Sequence, residues 1–374
     1  MANRKIKLLL VTDEMEVGGT QRQLVNLLTN IDRTLFEPAL LYFRNGSYLL
    51  DELASAQVPV FHLPKTRKID PSLPYKLIKL FKKLEVDHIH CFSLTAELWC
   101  GIAQIFCKRA TYHTSIRATH EWYSRSEWMV KRFVTLLSDS VVANSAAGSD
   151  HTAKYVPGLK GKLSIIYNGV VSQNQELGPL PVDVNDGKHI IGLFVGRLVE
   201  LKNIPCILRA LKRVFVQGHK LKFLIAGDGP ERQTIEDEIR RLDLAENVHL
   251  LGERDDAHAL MQLSNFIVLP SWNEGLSNTV LEGMINARLV MASNIPSNRE
   301  LIRHDRTGVL FDSDNDEQLS TLIARAVEEP SWTKQLGDNA MKDAQERFSV
   351  EVMTDGFMQH YRDTDKKLRN GERL

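Results

Sequence analysis

The chain is predicted to fold as an α/β protein of two domains, each a parallel sheet flanked by helices. Three observations predict this. Apolar strand-like runs alternate with helical periodicity through the first half of the chain. The alternation breaks over Val171–Lys188, a stretch of Gly, Pro, Asn and Asp without sustained period, and then restarts. The length of 374 residues is also too great for one ordinary domain at roughly 150 residues each.

The elements follow in order. Ile6–Thr12 is a continuous apolar run, as a parallel strand buried on both faces requires. Thr20–Thr29 carries Leu24, Leu27 and Leu28 at helical spacing. Pro38–Phe43 reads as a strand, Leu49–Ala56 as a helix and Val58–His62 as a strand. Helices at Leu73–Leu84, Ala96–Phe106 and Ser126–Leu137 alternate with strands at Asp87–His90, Ala110–His113 and Ser140–Asn144. Beyond the break come strands at His189–Gly196, Lys222–Gly227, Val248–Leu251 and Phe266–Leu269. Helices at Ile204–Gln217, Glu231–Leu242, Asp256–Leu263 and Leu276–Asn286 separate and follow them, and Glu317–Glu328, Trp332–Glu346 and Val350–Lys367 complete the chain. Such alternation implies right-handed crossovers and open parallel sheets. Ligands on such sheets bind beyond the carboxyl ends of the strands, so the expected site is an inter-domain cleft.

Composition excludes several classes. With 43% hydrophobic and 25% charged residues, a disordered or fibrous chain is ruled out. Lys+Arg and Asp+Glu are equal at 47, which argues against a nucleic-acid binder. The four cysteines form no C-x-x-C pair or zinc spacing and read as buried thiols of a reducing cytosol. No segment approaches ~20 continuous apolar residues, so no membrane span is expected. Basic residues are in excess in the first half and acidic ones in the second. Much of the basic excess lies at Leu73–Leu84, where Lys76, Lys79, Lys82 and Lys83 accompany an apolar stripe. That helix either lies on an anionic membrane surface or is a surface helix with a solvated lysine face.

Four segments could carry chemistry. Gly18-Gly19-Thr20-Gln21 opens the first helix and reads equally as a tight turn or as an anion site. It is not the dinucleotide fingerprint G-x-G-x-x-G. Arg197 and Lys202, just past a strand end, suit a diphosphate, because a guanidinium forks phosphate oxygens and lysine adds a point charge; two solvated surface cations are the other reading. Gly227-Asp228-Gly229-Pro230 is a loop-to-helix junction. Glu274 lies in the loop Pro270–Gly275 and Glu282 in the helix beyond it, with the Gly275 and Leu276 amides at the helix start; the two read either as a solvated pair or as acceptors for sugar hydroxyls beside an anion site. Asp312 and Asp314 form a D-x-D that could be taken for a metal site. Their polar loop after a strand argues against this, and no metal is expected.

Taken in order, GGTQ, YHTS, VVANS, IYNGV, VGRLVELKN, IAGDGPER, VHLLG and PSWNEGLSNTVLEGM span almost the whole chain. In this arrangement the chain resembles the retaining glycosyltransferases of the GT-B fold, family four. The resemblance implies two Rossmann-like domains facing a central cleft: residues 1–170 bind acceptor, 171–188 link, 189–349 bind the donor, and 350–374 form a helix crossing back. It implies that Gly18 and Gly19 approach the donor diphosphate and sugar and that His113 contacts the sugar near the reacting carbon; a satisfied core imidazole is the other reading of His113. Arg197 and Lys202 would clamp the diphosphate. Glu274, with Gly275 and Leu276, would bind sugar hydroxyls, and Glu282 the ribose. Gly229 and Leu251 would complete the donor site. Arg117, His120 and Trp122 would line the acceptor side.

The implied function is transfer of a hexosyl or N-acetylhexosaminyl unit from a UDP- or GDP-sugar to a glycan acceptor, lipid-linked, in bacterial surface polysaccharide or lipopolysaccharide synthesis. The location would be cytoplasmic, at the inner membrane face, with neither cofactor nor nucleic acid as partner. A nucleotide-sugar epimerase on the same fold and a non-catalytic sugar-nucleotide-binding protein are the alternatives. One departure stands out. After the second glutamate the family stretch usually has a Gly and a Pro before the next strand, where this chain has Ala287 and Leu289.

Overall fold

The computed structural model describes residues 4–65, 70–107, 110–121, 123–173, 175–181, 184 and 189–369. Two compact units emerge, residues 1–169 with 350–374, and residues 170–349. The first unit runs β1 (Ile6–Thr12), α1 (Gly19–Asn30), β2 (Phe36–Tyr42), α2 (Leu49–Ser55), β3 (Val60–His62), α3 (Leu73–Leu84), β4 (His88–Cys91), α4 (Leu94–Phe106), β5 (Thr111–Ile116), α5 (Arg125–Leu137), β6 (Ser140–Ala143), α6 (Ala146–Ala153) and β7 (Leu163–Ile165). The second runs β8 (Ile190–Val195), α7 (Ile204–Val216), β9 (Leu221–Ala226), α8 (Arg232–Arg241), β10 (Val248–Gly252), α9 (Ala257–Leu263), β11 (Phe266–Leu269), α10 (Asn278–Ile285), β12 (Leu289–Ser293), α11 (Pro296–Leu301), β13 (Val309–Phe311), α12 (Asp316–Glu328) and α13 (Pro330–Phe348). The last helix, α14 (Val350–Arg369), belongs to the first unit.

Every strand pairing among the described residues is parallel. The sheet orders are β3-β2-β1-β4-β5-β6-β7 and β10-β9-β8-β11-β12-β13. Both reverse direction once, between β1 and β4 and between β8 and β11. Those reversals are where the loops diverge and leave a crevice at the strand ends.

Each sheet has its own core. In the first unit, β1 and β4 are buried on both faces, one against α1 and α14, the other against α3 and α4. α3 turns Leu73, Leu77 and Phe81 into that second layer and leaves Lys76, Lys79, Lys82 and Lys83 exposed. Its apolar stripe is therefore occupied by the core, and its lysines face solvent. The described residues of the stretch expected as a linker group with the second unit, and Val184 is buried in its core. The interspersed Gly and Pro hid that anchor from a periodicity argument. The turns around α6, β7, α11 and β13 were likewise too short to show a period.

Candidate functional site

In the second unit the site residues gather where β8 and β11 end, at the reversal of the sheet. Gly196 N donates to Ala226 O, Gly227 N to Gly252 O, and Leu198 N to Asp228 O. The loops after β8, β9 and β10 are thus laced together by backbone. Gly227 has φ 142°, and a Cβ there would lie 1.9 Å from the Gly196 carbonyl oxygen, so only glycine lets the loops close. Gly229 belongs to this laced region, where a Cβ would lie 2.3 Å from the Leu198 carbonyl oxygen, and Leu251 packs against the core of this unit.

A single helical turn, Glu200–Lys202, follows β8. Trp272 N donates to Leu201 O, and Trp272 Nε1 donates to Asp314 Oδ1 at 2.9 Å. These bonds hold the loop Pro270–Gly275 against that turn. Lys202 Nζ consequently meets Glu274 Oε1 at 2.5 Å, and Ser271 Oγ donates to the same oxygen at 2.7 Å. Both charged side chains are largely shielded, at 17% and 13% exposure. Arg197 is exposed and makes no ion pair with the described residues.

Gly275 and Leu276 lead into α10, whose N-cap Ser277 accepts from Val280 N. Thr279 Oγ1 donates to Val195 O, so the first turn of α10 rests on the end of β8. The helix start presents its partial positive charge at the strand ends. Glu282 is half-buried one turn from the C-terminal end of α10. Asp314 is engaged in holding Trp272, and among the described residues no cluster of His, Cys, Asp and Glu is arranged to hold a metal.

The first unit has its own cavity of about 440 Å³ at the ends of β1, β4 and β5. Its wall carries Asp13 and Glu14 after β1, Phe92 and Ser93 after β4, and Arg117 and His120 after β5. Thr20 and Gln21 of α1 border it, while Gly18 caps that helix with extended backbone. Arg44 Nη2 meets Asp13 Oδ2 at 2.5 Å and Glu14 Oε2 at 2.9 Å. Beneath the floor, Lys131 Nζ donates to Glu97 Oε1 and Oε2 at 2.7 and 2.8 Å and to Ser115 O at 2.8 Å. Burial raises the Glu97 pKa against the pull of Lys131. Burial pushes Arg117 down to about 10 and His120 down to about 3, so at neutral pH the first stays charged and the second neutral. Trp122 lies outside the described residues.

His113 is a correction. It is the third residue of β5 and is 0% exposed, with Nε2 2.9 Å from His88 Nδ1 and Nδ1 2.6 Å from Ser140 Oγ. Ser140 Oγ continues to His360 Nε2 on α14. The strand's alternation turns His113 into the interior against α14, away from the cavity wall, and Arg117 and His120 beyond the strand end take that wall instead. Burial holds the His113 pKa well below its usual value. Sequence reasoning missed Asp13, Arg44, Glu97 and Lys131. Glu97 had a signal, being the one charge in the apolar helix LTAELWCGIAQIF.

Comparison with known proteins gives two family matches. Residues 182–343 match the family described as Glycosyl transferases group 1. Residues 17–173 match Glycosyltransferase Family 4. The uncharacterized glycosyltransferase MJ1178 of Methanocaldococcus jannaschii is 27% identical over 237 residues, covering 62% of this chain and 61% of that protein. The match thus spans less than two thirds of that relative's length. The N-acetylgalactosamine-N,N'-diacetylbacillosaminyl-diphospho-undecaprenol 4-alpha-N-acetylgalactosaminyltransferase of Campylobacter jejuni is 24% identical, with 77% of this chain and 80% of that protein covered. The crystal structure of Anabaena HepE in complex with UDP superposes with a TM-score of 0.82 at 20% identity, covering 96% of this chain and 100% of that one. The fold is therefore GT-B.

Proposed function

The chain belongs to the family-four glycosyltransferases, and from that premise we propose that it is a retaining hexosyltransferase using a nucleotide-diphosphate sugar. The observation that carries this reading is the Lys202–Glu274 pair at the β8 and β11 ends, beside the N-terminus of α10. Breaking a sugar–diphosphate bond moves negative charge onto the leaving group and positive charge onto the ring. Lys202, the exposed Arg197 and the α10 amides are the groups to receive the diphosphate. Glu274 takes sugar hydroxyls, Glu282 the ribose, and the Leu251–Gly252 segment the base. In a front-face displacement the acceptor oxygen bonds to the anomeric carbon as the carbon–phosphate oxygen bond breaks. The departing phosphate takes the acceptor proton.

UDP is the favoured carrier, since HepE was solved with it. A lipid-linked glycan is the favoured acceptor, since the Campylobacter relative is named for an undecaprenol-linked one. On this reading the chain works in surface polysaccharide or lipopolysaccharide synthesis at the inner membrane face. The exposed lysines of α3 offer an electrostatic contact there.

The test is turnover of UDP- and GDP-sugars with undecaprenol-linked and free glycan acceptors, the product anomer being read by NMR. Transfer with retained configuration is expected. Arg197→Gln, which removes an exposed side chain with no structural partner, is expected to lower kcat about 10²-fold without changing the unfolding midpoint. Isomerisation of the donor, or tight donor binding with no turnover across the panel, refutes the reading.

A further inference from the structure

We propose that the acceptor of this chain carries an oxyanion, a carboxylate or a phosphate, and that Arg117 grips it within the cavity of the first unit. The inference rests on the transferase reading above and adds the charge that its glycan acceptor carries.

Each of the other strong charges around this cavity takes part in an ion pair. Arg44 is paired with both Asp13 and Glu14, and Lys131 with Glu97. Arg117 is the exception. Its Nη2 donates to the neutral Asn168 Oδ1 at 2.6 Å, and its guanidinium sits 5.5 Å from the Phe92 ring centroid. Its Nε is shielded from solvent with no hydrogen-bond partner, and no described carboxylate lies within ion-pair distance. A shielded cation with an idle donor is costly to keep. A ligand anion removes that cost, and the planar fork fits a carboxylate or phosphate through two bonds.

A second idle atom narrows the ligand. Asp13 Oδ1, on the same cavity wall, is buried and accepts no hydrogen bond, while its Oδ2 is held by Arg44. An idle acceptor asks for a donor such as a sugar hydroxyl. A ligand that presents a hydroxyl at one end and an oxyanion at the other suits both residues of this wall. Acidic sugars and sugar phosphates have that form. A neutral hexose leaves the guanidinium uncompensated.

Calorimetric titration of the full chain with glucose, glucuronate and glucose 6-phosphate tests this. At least one charged sugar is expected to bind about tenfold or more tightly than glucose, and which one distinguishes carboxylate from phosphate. Arg117→Gln is expected to abolish the gap. Arg117→Lys, which keeps the charge but not the fork, is expected to retain part of it and guards against a folding defect in the first variant. Equal binding of the three sugars, no binding of any, or a gap that survives Arg117→Gln overturns the proposal. A parallel UDP titration of the same samples separates the two readings. Failure to bind UDP counts against the transferase reading, whereas normal UDP binding with equal sugar affinities sinks the Arg117 assignment alone.

Discussion

Ala287 shows how one residue can depart from a family pattern and still hold the local geometry. It ends α10 with φ 56°, where Ala287 N donates to Met284 O and Arg288 N donates to Gly283 O. That is the Schellman arrangement, which ordinarily uses glycine because an L side chain in the left-handed region crowds its own carbonyl. Here the chain accepts the strain. Ala287→Gly is therefore expected to raise stability by about 1 kcal/mol, read as a higher urea midpoint for the second unit. An unchanged or lower midpoint would mean that the added freedom of the unfolded glycine outweighs the relieved strain.

Among the elements, α14 has the largest structural consequence. It follows the whole second unit in sequence, yet Val350, Met353, Phe357 and Tyr361 are buried in the core of the first, among Leu24, Leu28 and Phe36. Tyr361 OH is 2.8 Å from His90 Nδ1, and His360 reaches Ser140 and Ser164. Burying four such side chains contributes about 1.5–3 kcal/mol each, a sum comparable with the 5–15 kcal/mol net stability of a typical domain. Ending the chain after Ser349 is expected to abolish the cooperative unfolding transition of the first unit. Differential scanning calorimetry would show it. Two intact transitions in the shortened chain would contradict the assignment of α14 to that core.

For the whole molecule, acidification should be harmful. The chain is neutral at pH 7 with 12 histidines uncharged, so protonation builds a net positive charge that repels itself. His90 and His113 are fully buried, and desolvation holds both pKa values well below 6.5. The unfolded chain therefore binds more protons than the folded one below pH 6.5. Stability is full above that pH and is lost as pH falls beneath it, by about 1.4 kcal/mol per unit and per histidine. Between pH 7.5 and 5.5 the urea midpoint of the first unit is expected to drop. A midpoint that does not move over that range would show these rings to be charged already in the fold.

The sequence by itself determined the architecture: two parallel α/β units, their strand order of appearance, and the loops Gly196–Lys202 and Pro270–Gly275 as the places for charge. Continuous apolar runs and helical period are local properties, and a chain of this composition satisfies them in few ways. The comparisons agree with that reading at the level of fold and family. Tertiary structure alone decided which polar residues face a cavity. His113 and Arg117 stand four residues apart in the sequence, and no local pattern says which is enclosed. The register of β5 between β4 and β6, with α14 laid over one face, buried the histidine and left the guanidinium at the strand end. Pairings such as Arg44 with Asp13 and Lys131 with Glu97 join residues about thirty positions apart, and only the packed sheet brings them within hydrogen-bond distance.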